Sequence, residues 1–390
     1  MIELLAPAGD LEKLKIAVMY GADAVFIGGR EFSLRSRASN FSLEDIKEAC
    51  DFAHEHNVKV HVTTNIIPHN ENLDGIKEYL IALEKCGVDA IISASLHIIK
   101  TAVENTNLEV HISTQQSISN IETINFYHDL GIKRVVLARE VTLEELKDIR
   151  SKTDMDIEVF IHGGMCSSYS GRCMLSNEMA SRDANRGGCA HSCRWNYDLY
   201  DKDKKINEVD YFSLASKDLC AIKYIPDLID LNITSLKIEG RMKSIHYIAT
   251  VVNAYRRAID AYYKDQTIDY EKFSTMIKKA ENRLTSVGFY DGSPTPNEQL
   301  YVNFGENPTQ EFIGIVVDVD DEYMVIEERN YFEIGDTIEI FSPTLEPQYF
   351  KLEKMFDKDG NPLEVARHPH QLIKIPKVGQ VSKFDILRKA

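Results

Sequence analysis

The stretch LLAPAGDLEKLKIAVMYGADAVFIGG, residues 4–29, contains the repeating unit that decides the fold. It begins inside a short apolar run, Ile2–Leu5, and ends just past a second, Ala24–Ile27. Between them, Leu11–Tyr20 places apolar residues three and four apart, the period of a helix with one buried face. Asp10 stands where an N-cap is wanted, and Gly21 where a helix stops in a left-handed turn. Strand, helix and strand in so few residues make the βαβ unit of a parallel sheet.

The unit recurs along the chain. Further candidate strands are Val58–Thr63, Ala90–Ser93, Glu109–Ser113, Arg134–Leu137, Ile157–Ile161 and Ser235–Ile238. Helical patterns at Leu43–His56, Leu73–Cys86 and Leu143–Arg150 lie among them. Ser42 with Asp45 has the form of a capping box, and Gly87 and Gly131 repeat the helix stop. Eight such strands in about 240 residues predict a TIM-like (β/α)8 barrel over residues 1–265, in preference to a doubly wound sheet. One interval is too long, because strand seven ends near His162 and strand eight begins at Ser235. The insertion, 163–234, therefore leaves the barrel at the strands' C-terminal ends, where such barrels build their sites. A helical linker is expected over 266–307. Alternation at Phe312–Val319, Tyr323–Glu327 and Thr337–Phe341 then predicts a small β-barrel accessory domain, 308–390.

Composition excludes several classes. The 390 residues carry 45 Lys and Arg against 61 Asp and Glu, a net charge of −16. A protein that coats nucleic acid or anionic membrane by bulk charge would be basic, so any such contact must come from a local groove. No apolar run is long enough to cross a membrane, and the opening MIELLAPAGD has no secretory pattern, so the expected location is the cytoplasm. Disulfides are rare there, so the seven cysteines need another account.

Five of the seven fall close together: Cys166, Cys173, Cys189, Cys193 and Cys220, spaced C-x6-C-x15-C-x3-C-x26-C among glycines and serines. Cys50 and Cys86 sit at apolar positions of helical repeats and read as core. The five admit three readings. Structural zinc favours paired knuckles, which only Cys189/Cys193 resembles. A [4Fe–4S] cluster takes four thiolates at irregular spacing. Reduced buried thiols are the third reading. Arg194, next to Cys193, would lower that thiol's pKa if the two side chains meet.

The residues just past each strand form the predicted rim. Arg30, Arg139 and Arg241 bring positive charge to it, with Arg35 or Arg37 on the loop after Arg30. Arginine forks match carboxylates and phosphates, so the mouth suits an anion. His162, Arg139, Glu239 and Arg241 are the candidates for chemistry, and Arg30, Gln115, Arg139 and Arg241 for holding a small co-substrate. Tyr169 and Trp195 flank cysteines and could stack on a ring.

EVFIHGGMCSSYSGRCMLS, Glu158–Ser176, closely resembles the signature of the collagenase-like, unassigned-peptidase family. HISTQQSISN, NRGGCAHSCRW, SLASKDLC and SLKIEGRMKS match in the same order, and the resemblance covers about residues 1–260. Within the family the arrangement is most similar to the prephenate-dependent tRNA uridine hydroxylases. That resemblance implies a [4Fe–4S] cluster on Cys166, Cys173, Cys189 and Cys220, with Cys193 as the alternative ligand, and prephenate as co-substrate. It implies 5-hydroxyuridine formation at the wobble base of a tRNA anticodon loop. A collagenase-like peptidase, as the family label says, or a non-catalytic iron–sulfur scaffold acting with a paralogous partner protein, are the other readings. For RNA, the run Lys237, Arg241, Lys243, Arg256 and Arg257 is one candidate basic stripe and Lys374–Arg388 another.

Overall fold

The computed structural model describes residues 1–33, 41–206, 212–280, 283–300 and 311–390. Arg35, Arg37 and the expected boundary at 307/308 lie outside these residues. Eight parallel strands close into a barrel: β1 (Glu3–Pro7), β2 (Ala24–Gly28), β3 (Lys59–Thr64), β4 (Ala90–Ser93), β5 (Glu109–Ile112), β6 (Arg134–Val136), β7 (Asp156–Gly163) and β8 (Ser235–Ile238). β8 completes the ring by pairing with both β1 and β7. The helices α1 (Leu11–Met19), α2 (Leu43–Glu55), α3 (Ile76–Lys85), α4 (Leu96–Asn105), α5 (Ile121–Asp129) and α6 (Leu143–Arg150) follow the first six strands. α7 (Ile225–Asp230) lies at the end of the insertion, just before β8, and α8 (Ile245–Tyr263) follows β8.

Local chemistry sets these limits. The Asp10 side chain accepts from the Lys13 N–H, and Ser42 and Asp45 form a reciprocal capping box. Gly21, Gly87 and Gly131 all have positive φ. Helix α3 starts later than its sequence pattern because Gly75 turns the chain at φ +81°. Within 266–307, α-helix among the described residues is confined to Tyr270–Lys278. Pro294, Pro296 and two positive-φ glycines then break the chain into turns, with a short strand at Thr285–Ser286.

The barrel interior is charged below the mouth. Glu158 is fully buried and lies 2.7 Å from the Lys237 ammonium and 3.4 Å from Arg134. Arg134 also reaches Glu3 at 2.5 Å. Burial alone would push the Glu158 carboxyl up, but Lys237 and Arg134 outweigh it and hold the carboxyl below its ordinary value. The hydrogen bond from His111, against a smaller cost of burial, brings Glu109 down to about 2. His61 packs edge-on against His111, with ring centroids 4.8 Å apart, and burial keeps it neutral.

The C-terminal residues form an eight-stranded antiparallel sheet around a core of their own. This module docks on the barrel's outer helices. Tyr20, at the C-cap of α1, donates to the carbonyls of Phe341 and Phe384, and Phe312 stacks on His246 of α8. Arg388, fully buried, donates to Thr250 Oγ1 at 2.7 Å and lies 3.4 Å from Glu339.

Replacing Glu158 by Ala leaves two buried cations without their shared counter-charge and is expected to cost about 3–5 kcal/mol in urea unfolding. Depressed carboxyl pKa values also fix the sign of the pH dependence. The stability from Glu109 and Glu158 is present above the ordinary carboxylate range and is lost as pH falls through their folded values. The urea midpoint should therefore drop between about pH 5 and about pH 2, and a flat profile there would contradict the network.

Candidate functional site

A cavity of about 380 Å³ opens at the C-terminal mouth of the barrel. The insertion caps it and is tied down at several barrel loops. Ser170, at φ +47°, donates through its N–H and hydroxyl to the two oxygens of Glu140, at 2.7 and 2.6 Å. Arg172 donates to the Gln115 carbonyl at 2.6 Å. On the side of β3, Ile67 N–H donates to the Asn185 carbonyl, and Arg186 pairs with Glu71.

Four cysteines, Cys166, Cys173, Cys189 and Cys193, share the wall of this cavity. Leu175 N–H donates to the Cys173 sulfur at 3.3 Å, and Cys166 Sγ lies 3.2 Å from Ser168 Oγ. Cys220 is placed differently. Its strand, Asp218–Cys220, pairs antiparallel with the end of β7, and its sulfur packs 3.9 Å from the Tyr255 hydroxyl, outside the cavity lining. Arg194 does lower the Cys193 pKa, as its position suggested. Burial, together with the neighbouring Cys166 and Cys189, more than offsets this, and the thiol stands above its ordinary value.

Among the described residues, no three His, Cys, Asp or Glu side chains converge on a point that could hold a single metal ion. Four sulfurs spread around one cavity fit a polynuclear cluster, whose irons each take a separate thiolate, better than they fit a tetrahedral zinc. Buried polar atoms of the lining strengthen the fit. Gln115 Nε2 and Ser192 Oγ have no hydrogen-bond partner among the described residues.

The floor is cationic and aromatic. Arg139 lies over the Phe160 ring, 3.7 Å from its centroid. Lys237 lies 4.5 Å from the Phe26 centroid and 5.6 Å from that of Phe160. Arg241 is buried, its guanidinium 3.3 Å from Thr63 Oγ1 and 3.4 Å from Ser33 Oγ. Gly28 makes that position possible, because a Cβ there would sit 1.8 Å from Arg241 Nη1. The lining includes six Lys and Arg residues, Arg139, Arg194, Lys237, Arg241, Lys243 and Arg283, against Asp218 and Glu239. An acidic protein thus keeps an electropositive cavity.

Of the residues expected here, Arg139, Gln115, Glu239, Arg241 and four cysteines meet at the cavity. Gln115 is buried, with its Oε1 accepting from Asn65 at 2.9 Å. Arg30 is exposed outside the lining, near enough to Asp45 of α2 for its charge to act there. His162 also lies outside the lining. The β7–β8 pairing shifts register after Lys237, which faces Phe160, so that Ile238 faces His162 and Ile161 is the extra residue. The bulge turns His162 against Tyr247 and Tyr255 of α8, with Nδ1 3.2 Å from the Tyr255 hydroxyl. The first expected basic stripe does not assemble. Lys237 and Arg241 are inside the cavity, Arg256 pairs with Asp23 and Asp260, and Arg257 with Glu346. At the end of the second, Arg388 is buried. Lys237 belongs to the cavity floor, which its period-2 position on β8, facing inward like Ser235, could have shown.

A (β/α)8 barrel with a cysteine-lined, electropositive cavity under a capping insertion, plus an antiparallel module, defines a class of protein. The chain belongs to peptidase family U32: the family's model matches residues 9–300, and the model of the U32 C-terminal domain matches 308–388. It is 47% identical to tRNA hydroxylation protein P1 of Bacillus subtilis, over 99% of this chain and 94% of that protein. It is 38% identical to the 23S rRNA 5-hydroxycytidine C2501 synthase of Escherichia coli, over 68% of this chain and 40% of that one. A collagenase of Porphyromonas gingivalis is 32% identical over 88% of this chain and 87% of its own length.

Two substitutions test the geometry. Glu140→Ala removes both acceptors that pin Ser170, so the Cys166–Cys173 loop should loosen and the protein lose about 1–3 kcal/mol of stability. Gly28→Ala should expel the Arg241 guanidinium from its seat. It should then weaken binding of small dicarboxylates about ten- to a hundred-fold in calorimetry, whereas Gly75→Ala, far from the cavity, should not.

Proposed function

We propose that this protein hydroxylates tRNA, converting the wobble uridine to 5-hydroxyuridine with prephenate as co-substrate and a [4Fe–4S] cluster in the site. The observation that carries the reading is the one cavity in which four cysteines face a cationic and aromatic floor. The names of the Bacillus subtilis and Escherichia coli relatives, both RNA hydroxylation proteins, support the reaction class.

Each part of the cavity has a task in this reading. Cys166, Cys173 and Cys189 would hold the cluster, with Cys193 or Cys220 as the fourth ligand. When bound, such a cluster supplies one-electron transfer or an acidic iron. Arg139 and Arg241 bind the two carboxylates of prephenate through planar, always-charged forks. Phe26 and Phe160 offer the ring an apolar surface. Lys237, 2.7 Å from Glu158, adds positive charge to the floor. Gln115, with an unsatisfied amide nitrogen, orients a carbonyl or carboxylate. A wobble base is already single-stranded in the anticodon loop, so bringing it to the mouth costs little. The cavity volume falls within the range of small-molecule sites. The protein works in the cytoplasm, where tRNA and small metabolites meet it. A paralogous partner is not needed for this reading.

A deletion strain tests the reading, because nucleoside mass spectrometry of its bulk tRNA should lack 5-hydroxyuridine derivatives. Unchanged 5-hydroxyuridine in a strain with no second copy of the gene would overturn it. Protein purified without oxygen should be brown and hold close to four irons and four sulfides. Cys166→Ala or Cys173→Ala should remove the iron, while Cys50→Ala should leave it in place. Stoichiometric zinc without acid-labile sulfide would defeat the cluster.

A further inference from the structure

We infer that RNA docks on the outer face of the cysteine insertion, around the cavity mouth, and that an unstacked loop of RNA is what this face fits. The inference rests on the tRNA reading above and names the surface that serves it.

Large apolar side chains are normally few and scattered on a protein surface. Here several border a single opening. Tyr169 is 54% exposed, Met174 60%, Trp195 41% and Met242 54%. Met242 lines the cavity itself. The other three are chain neighbours of lining residues: Ser170, Cys173 and Arg194. Flat, exposed rings beside the mouth of a cavity are stacking platforms, and methionine adapts to whatever lies on it.

Charge points the same way. Residues 164–206 carry seven Lys and Arg against five Asp and Glu, a positive balance in a chain of net −16. Residues 311–390 carry ten against sixteen, so the C-terminal module presents a repulsive surface to phosphate. Arg172 is exposed on the insertion, and its guanidinium bonds to the Gln115 carbonyl and Gln116, which fixes its position at the rim. Of the first candidate stripe, Arg256 is spent on Asp23 and Arg257 on Glu346. A duplex could not place a base in the mouth without unpairing it, whereas a loop can.

Trp195 is the only tryptophan in the chain, so its emission reports this surface directly. The experiment titrates the intact protein with a synthetic anticodon stem-loop, with a perfect RNA duplex and with a gelatin peptide. It follows tryptophan emission, and the anisotropy of labelled stem-loop. The stem-loop should quench Trp195 saturably and more weakly as salt rises, and the duplex should not. Trp195→Ala and Tyr169→Ala should each weaken stem-loop binding roughly five- to a hundred-fold, the range for loss of one stacked base. Trp195→Phe should keep most of it. Arg172→Gln should lower the salt slope by about 1. The double change Lys354→Glu and Lys358→Glu, on exposed positions of the module, should alter nothing. Thermal midpoint and iron content identical to the parent show that each variant is folded. If the parent binds the stem-loop but the rim variants bind it equally well, this surface is wrong and the tRNA reading stands. If the parent binds no RNA, or only the gelatin peptide quenches Trp195, both fall.

Discussion

The charge on Glu158 governs the floor of the cavity. A carboxylate buried between Lys237 and Arg134 cannot be neutral without stranding Lys237 and leaving Arg134 to Glu3 alone, and removing Lys237 takes away its nearest counter-charge. The three side chains come from β6, β7 and β8, so the pair interactions also hold together the part of the barrel where the ring closes. Lys237 is thereby fixed beneath the mouth, its ammonium against Phe26 and Phe160. Arg139 lies on the same Phe160 ring. One aromatic side chain therefore places two cations, and the electropositive floor follows from a network whose counter-ions lie below it.

The second constraint is the extra residue in β7. The pleat of a strand sends alternate side chains to opposite faces, and Glu158 and Phe160 obey it by pointing inward. Continued without interruption, it would have placed His162 in the cavity as well. Insertion of Ile161 opposite the β7–β8 pairing reverses the alternation, and His162 joins Tyr255 and Tyr247 on the helix side. The same end of β7 accepts the Asp218–Cys220 strand, which draws Cys220 behind the barrel wall. A single irregularity thus moves both a histidine and a cysteine out of the cavity lining.

These two features show what could and could not be read from the residues. The eight strands and the ends of the helices were legible, because hydrophobic period, N-cap acids and stop glycines are local signals. Asp10, the Ser42–Asp45 box and Gly21 each act within one turn. That the insertion lies on the functional face was legible as well, since chain direction fixes which end of a parallel strand a loop leaves. A bulge leaves no such signature: Ile161 and His162 are ordinary strand residues, and only the register with β8 sets them apart. Arg30 was misplaced for a similar reason. It follows β2 directly, but its charge is felt at Asp45 on α2, outside the cavity. Lys237 looked like part of a surface stripe because charge was read along the chain and not across the barrel.

The net charge of the protein then takes on a specific meaning. With 61 acids against 45 bases, long-range attraction to a polyanion is weak, and the field is favourable only where cations are gathered and acids excluded. The barrel mouth meets both conditions: six cationic residues line it against two acidic ones. Much of its positive charge is also desolvated and fixed by Phe160, Thr63 and Ser33, so it is screened less by salt than exposed lysines would be. Such a protein should ignore most nucleic acid and hold a small anion tightly. Recognition of a larger partner then has to come from shape and stacking around the opening, where Tyr169 and Trp195 stand.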